Sequence, residues 1–221
     1  MKWLSSLLLI FLMNVVMSQD TIYYIGDPLC SWCYGFAPQI SKVKEHYQGD
    51  LEFKIIMGGL RPNNTETMKD LGDFLKHHWE QVEERSGQPF NYKLLEDHSF
   101  VYDTEPPARA VWVVRQLKPE VEFAFFKDVQ LLFYSENRNT NQLDNYQKLI
   151  EKYNIDWNQF KELFHSEVAI NGVKQDFQFS SQLGVRGFPS VLLKRKYQWF
   201  LVSNGYTDAS NIQKTIDKVL K

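Results

Sequence analysis

Cysteine is nearly absent from this sequence. Two occur in 221 residues, at Cys30 and Cys33. That scarcity excludes a small secreted scaffold stapled by several bridges. It also argues against structural zinc, which takes four ligands. No second cysteine pair exists, and His46, His77, His78, His98 and His165 lack a supporting spacing. His77 and His78 diverge on a helix and read as solvated or capping residues. Excess charge is lacking as well. A formal net charge of −2 provides no nucleic-acid surface. There is no internal repeat and no low-complexity tract. What is present is apolar material, 43% of residues with 15% aromatic, ample for one cored domain with an insertion.

The two cysteines stand together in DPLCSWCYGF. A pair separated by two residues closes a small disulfide ring and opens it again, which is a redox couple. So short a loop adds little chain-entropy stabilisation, so a catalytic role fits better than a structural one. At the mouth of a helix, unpaired N–H groups and the positive end of the dipole favour a thiolate on Cys30. Cys33 lies one turn further in. Cys30 attacks a substrate disulfide, and Cys33 attacks the resulting mixed disulfide and releases the product. Between them, Ser31 is placed to donate a hydrogen bond to sulfur. Trp32 reads either as an apolar platform for a polypeptide or as a packing residue.

The first residues, MKWLSSLLLIFLMNVVMSQD, carry Lys2 as a basic start and an apolar run from Leu7 to Val16 broken by Asn14. Val16 and Ser18 suit cleavage before Gln19. Residues 1–18 are therefore expected to be a signal peptide, being short for a spanning helix. The protein is expected to be exported, periplasmic or extracellular, with no stable membrane anchor after cleavage.

Thr21–Ile25 reads as a buried strand. Phe36, Ile40, Val43 and Tyr47 mark a helix, and Leu51–Met57 a second strand. This is a βαβ unit. Helical patterns follow. Leu71, Leu75, Trp79 and Val82 end at Gly87. Thr104 is expected to cap a helix with Pro106 in its first turn. Further helices are marked by Phe126, Val129 and Phe133, by Leu143 through Tyr153, by Trp157, Phe160 and Phe164, and by Ser166 to Leu183. Ser190–Tyr197 and Trp199–Ser203 read as strands, and Asp208 as the cap of a last helix. The fold class is α/β: residues 19–60 and 184–221 form one sheet domain, and 61–183 an inserted all-helical lobe. In GVRGFPS, Pro189 precedes the returning strand. If cis, it fixes a tight turn and leaves the Phe188 backbone free to pair with a bound peptide.

The order βαβ…ββα with CxxC at the helix start resembles the thioredoxin fold. CSWCYGFAP matches its spacing, with Pro38 as the kink proline. DPLCSWCYGF, TEPPARAVWVVRQL and LGVRGFPS together resemble the FrnE-type branch of the DsbA-like family. That resemblance covers residues 20–221. It implies a protein dithiol–disulfide oxidoreductase with Cys30 as nucleophile, Cys33 as resolving thiol and Pro189 as the cis-proline facing them. Ser31, Trp32 and Phe188 are the candidate substrate-binding residues. It implies no bound cofactor and no metal beyond the redox-active disulfide. Partners are polypeptides with thiols or disulfides, and a redox partner protein or glutathione. One departure is notable. A buried acid often stands six positions before the first cysteine of such proteins, and here that position is Tyr24. Asp27 is nearer the motif, and reads either as a substitute acid or as a turn residue beside Pro28.

Two further readings stand beside this one. The inserted fold also resembles kappa-class glutathione transferases and hydroxychromene-carboxylate isomerases, which carry serine at the Cys30 position and lack the pair. A chaperone-like binding protein is the other. Arg109 reads as a substrate contact or, preferably, a structural ion pair, and Arg186 as a cleft residue or a solvated loop arginine.

Overall fold

The computed structural model describes residues 19–221; the expected signal peptide lies outside the described residues. Four strands form one sheet: β1 (Thr21–Gly26), β2 (Glu52–Met57), β3 (Ser190–Arg195) and β4 (Gln198–Asn204). Their order is β2-β1-β3-β4. β1 pairs parallel with β2, from Thr21 opposite Glu52 to Gly26 opposite Met57. It pairs antiparallel with β3, Tyr24 opposite Val191.

β1 is interior and buried along its whole length. Because side chains alternate across a strand, it feeds two cores. Ile22 and Tyr24, with Val191 and Leu193, meet helix α1 (Ser31–His46) and helix α8 (Ala209–Leu220) through Phe36, Ile40, Val43, Ile212 and Ile216. Tyr23, Ile25 and Leu192 face the other way. There Phe179 and Leu183, from helix α7 (Glu167–Gln182) and its C-terminus, join Trp199 in covering them. Each large apolar side chain so buried contributes about 1.5–3 kcal/mol.

The described elements between β2 and β3 are helical, apart from one isolated bridge between Thr67 and Val101. They are α2 (Met68–Ser86), α3 (Glu105–Leu117), α4 (Glu122–Tyr134), α5 (Gln147–Lys152), α6 (Trp157–Phe164) and α7, with short 3₁₀ turns. α2 begins on a capping box between Thr67 and Asp70 and ends at Gly87, whose φ of 71° needs the left-handed region. α2 packs Leu71, Leu75 and Trp79 onto Phe133 and Tyr134 of α4, forming a further core that also takes in Leu29 and Tyr34 beside the cysteines. The cysteine motif is thus held between two cores. No helix of the described residues is long and apolar enough to cross a membrane.

Two local readings change. Thr104 precedes α3, but its hydroxyl makes no cap; it accepts from the Arg61 N–H at 3.0 Å. Asp103 caps instead, its Oδ1 accepting from Glu105 N at 2.9 Å. The run from Leu143 to Tyr153 is not one helix. A 3₁₀ turn at Leu143–Tyr146 precedes the six-residue α5, and an i, i+3, i+7 pattern fits either geometry at this length.

Candidate active site

Where β1 ends, the chain turns sharply: the Cys30 N–H donates to the Asp27 carbonyl at 3.1 Å. Cys30 occupies the N-cap of α1 with extended φ and ψ, and its side chain makes no capping bond. Its sulfur is thereby left for other chemistry at the positive end of a 16-residue helix. Cys33 sits one turn inside. Both are free thiols. Cys30 keeps 6% of its surface accessible and Cys33 none.

The Cys30 thiol lies 3.6 Å from the Phe188 carbonyl oxygen, and the Phe188–Pro189 peptide is cis. The fold therefore brings together Cys30, Phe188 and Pro189, which are 158 residues apart for the first pair. Pro189 is buried and Phe188 half-buried. The Phe188 ring lies on Gly58, where a Cβ would stand 2.3 Å away. Ser31 and Trp32 are half-buried. The Trp32 ring meets Tyr206 edge-on at 6.1 Å, so it packs against the β4–α8 connection while keeping an accessible face.

A second set of residues locks the motif. The Leu29 carbonyl accepts a hydrogen bond from the Tyr134 hydroxyl at 2.6 Å and another from the Tyr102 hydroxyl. Tyr134 also stacks on Tyr34, 4.8 Å between centroids. Pro38 inside α1 cannot donate to the carbonyl one turn back; the Gln88 amide donates to that Tyr34 carbonyl instead, at 3.3 Å. Neither Tyr102 nor Tyr134 stands out in the sequence by spacing or motif. The signal that Tyr102 and Tyr134 do more was tyrosine where phenylalanine would fill the same volume, since a buried hydroxyl needs a partner.

Asp27 is wholly buried. Its carboxyl accepts from the Leu29 and Leu60 N–H groups, both at 2.9 Å. Burial outweighs these bonds and pushes its pKa from 3.8 up to about 6. The Asp27 carbonyl thus closes the turn, and its side chain is a buried acid bonded to the Leu29 and Leu60 N–H groups. Burial also pushes the Cys33 thiol well above its ordinary range, reinforced by Cys30 and opposed by the Asp27 backbone and by Tyr24. Tyr24 is completely buried, and burial followed by the Cys33 charge holds its hydroxyl in the neutral form.

The remaining candidates lie elsewhere. Arg109 pairs with Glu105 at 3.1 Å, donates to the Phe164 carbonyl at 3.1 Å and covers the Phe164 ring, so it is a structural ion pair. Arg186 is exposed. Among the described residues no group of three or more His, Cys, Asp or Glu is placed to hold a metal.

A family model described as thioredoxin matches residues 23–198. The chain belongs to the thioredoxin family. Among solved members, the fold is similar to a putative protein disulfide isomerase from Nitrosomonas europaea. The two are 33% identical over 91% of this chain and 98% of that one, with a TM-score of 0.86. It is also similar to the cytosolic disulfide reductase DsbM of Pseudomonas aeruginosa, at 24% identity over 90% and 98% of the chains, TM-score 0.74. Among curated proteins, the ClpXP adapter protein SpxH of Bacillus subtilis is 23% identical over 172 residues, covering 77% of this chain. This thioredoxin-family chain spans a little over half the length of that relative, 56%. Its solved relatives include a putative protein disulfide isomerase and a disulfide reductase, and the CxxC pair here sets Cys30, with 6% of its surface exposed, in front of a fully buried Cys33.

Proposed function

We propose that the protein exchanges disulfides with polypeptide substrates, Cys30 attacking and Cys33 resolving. The observation that carries this reading is the asymmetry of the pair: Cys30 is uncapped, lies beside the Phe188 carbonyl and keeps 6% of its surface exposed, and Cys33 is fully buried one turn behind it. The Cys30 thiolate attacks one sulfur of a substrate disulfide, forming a mixed disulfide and expelling the other sulfur as a thiolate. The Cys33 sulfur then attacks Cys30. The Cys30–Cys33 bond forms, the bond to substrate breaks, and the substrate leaves reduced by two electrons. Run backwards, the same steps oxidise a substrate dithiol. An extended peptide would lie along the Phe188 backbone, with Ser31 and Trp32 on its flank.

The same reading divides the chain at residues 60 and 183, the thioredoxin-like part carrying the thiols and the helical lobe enclosing them. Glutathione or a redox protein restores the pair; DsbM has been solved with GSH. Export rests on the apolar start of the sequence.

The test is turnover of a dithiol substrate and trapping by variants. Cys30→Ser abolishes turnover, and Cys33→Ser accumulates mixed disulfides with substrate. Full activity in Cys30→Ser would refute the mechanism. Likeness to an adapter protein favours a second reading, a binding module that needs no redox chemistry. That reading predicts undiminished function when both cysteines are replaced.

A further inference from the structure

Gly35, two residues after Cys33, presents a bare backbone where α2 crosses α1. A Cβ there would stand 2.5 Å from Val82 Cγ1 and 3.1 Å from Ser86 Oγ, so the glycine is what lets the last turns of α2 come this close. That approach carries Arg85 over the Tyr206 ring, its guanidinium carbon 4.8 Å from the centroid. Tyr206 belongs to the wall of the cleft. Its neighbour Gly205, at φ 88°, donates its N–H to the Pro189 carbonyl at 2.7 Å. The Tyr206 ring itself meets Trp32 edge-on. Pro189, Gly205, Tyr206 and Trp32 thus form a continuous wall beside Cys30, and Arg85 lies on it.

The Arg85 guanidinium is only loosely engaged. Its ion-pair partner among the described residues is Asp208, at 3.7 Å, and the two side chains are 54% and 51% exposed. A charge-assisted hydrogen bond is about 2.7–2.9 Å long, and an exposed pair at greater length contributes little. A guanidinium seated on an aromatic ring keeps N–H donors at its edge, where a carboxylate is met by two of them at once.

We propose that Arg85 is a substrate-binding residue that pairs with a carboxylate of the polypeptide, so that the chains exchanged are those carrying Asp or Glu close to the reacting cysteine. This names the substrate class of the site above and rests on the thiol-exchange reading. A segment laid along the Phe188 backbone passes the wall of Trp32 and Tyr206. An acidic side chain on that flank replaces the loose contact with Asp208 by a closer one, and a basic side chain meets a like charge. The pairing is made before and during exchange alike, so it acts on binding and not on the bond-breaking step.

The probes are three short peptides, each with one internal disulfide, that differ only in the residues flanking their cysteines: Glu, Gln or Lys. The full chain is reduced and mixed with each, and the rate of peptide reduction gives a half-saturating concentration. The unaltered protein is expected to half-saturate with the Glu peptide at a concentration roughly three- to fivefold below that for the Gln peptide, and added salt narrows the gap. Arg85→Ala removes the preference, and Arg85→Glu transfers it to the Lys peptide. The same order of peptides in the unaltered protein and in both variants would overturn the role of Arg85. Absence of reaction between the unaltered protein and any of the peptides would instead refute the thiol-exchange reading. Fluorescence anisotropy of the labelled peptides on Cys30→Ser, with and without Arg85→Glu, then decides on Arg85 without the chemistry.

Discussion

The Leu29 carbonyl offers a sharp test of how the motif is held. It is buried, with Leu29 at 0% exposure, and it accepts from two phenols, Tyr102 and Tyr134. A carbonyl has two lone pairs, and each phenol has one proton, which it gives to Leu29. Tyr102→Phe or Tyr134→Phe alone removes one bond and leaves the carbonyl paired. Each should cost about 1 kcal/mol. The double variant leaves a buried acceptor with neither phenol, which adds about 1–3 kcal/mol of unmet desolvation. The pair is thus expected to be non-additive, the double losing about 1–3 kcal/mol more than the two singles together. Urea unfolding of the four proteins in reducing buffer measures the cycle. Additivity within about 0.5 kcal/mol would show that the two phenols do not share the Leu29 carbonyl as an indispensable pair. The aromatic shell is preserved in every variant, so packing is not the source of the difference.

Asp27 makes stability depend on pH. Its folded pKa, about 6, is raised above 3.8, so the stability it contributes is full below about pH 4 and lost as pH rises through about 6, some 3 kcal/mol in all. Asp27→Asn should therefore gain on wild type by up to that amount between about pH 4 and pH 7; denaturation at both pH values measures it, and a pH-independent difference counts against the buried acid. The Arg115 guanidinium is held by Asp176 at 2.8 Å and Glu122 at 2.6 Å, and it donates to the Ile55 carbonyl. Asp176→Ala leaves that buried cation half-compensated and takes the acceptor from Met57 N, so a loss of about 3 kcal/mol is expected. Chemical denaturation giving less than about 1 kcal/mol would mean the network is not a structural tie.

Much of the architecture was legible from local pattern. A strand such as Thr21–Ile25, buried on both faces, reads as an unbroken apolar run, and the 3.6-residue repeat of Phe36, Ile40 and Val43 marks one side of α1. Boundaries set by turn chemistry were also readable, as at Gly87. The Thr104 cap was misread because its hydroxyl is claimed by Arg61, 43 residues away. No local rule reports that competition. The 3₁₀ turn before α5 was misread because the apolar spacing of the eleven-residue run from Leu143 to Tyr153 does not separate the two helical geometries.

The thiol pair belongs to the sequence alone: two cysteines, two residues apart, at a helix start, with no others to pair with. Their chemistry follows from covalent proximity, which needs no tertiary contact. What surrounds them was decided by folding. Phe188 meets Cys30 only because β3 lies beside β1. Tyr102 and Tyr134 meet Leu29 only because α2 and α4 close a second core over the motif. Burial, hydrogen-bond partnership and charge environment are sums over neighbours distant in sequence, and only the folded chain assembles those neighbours.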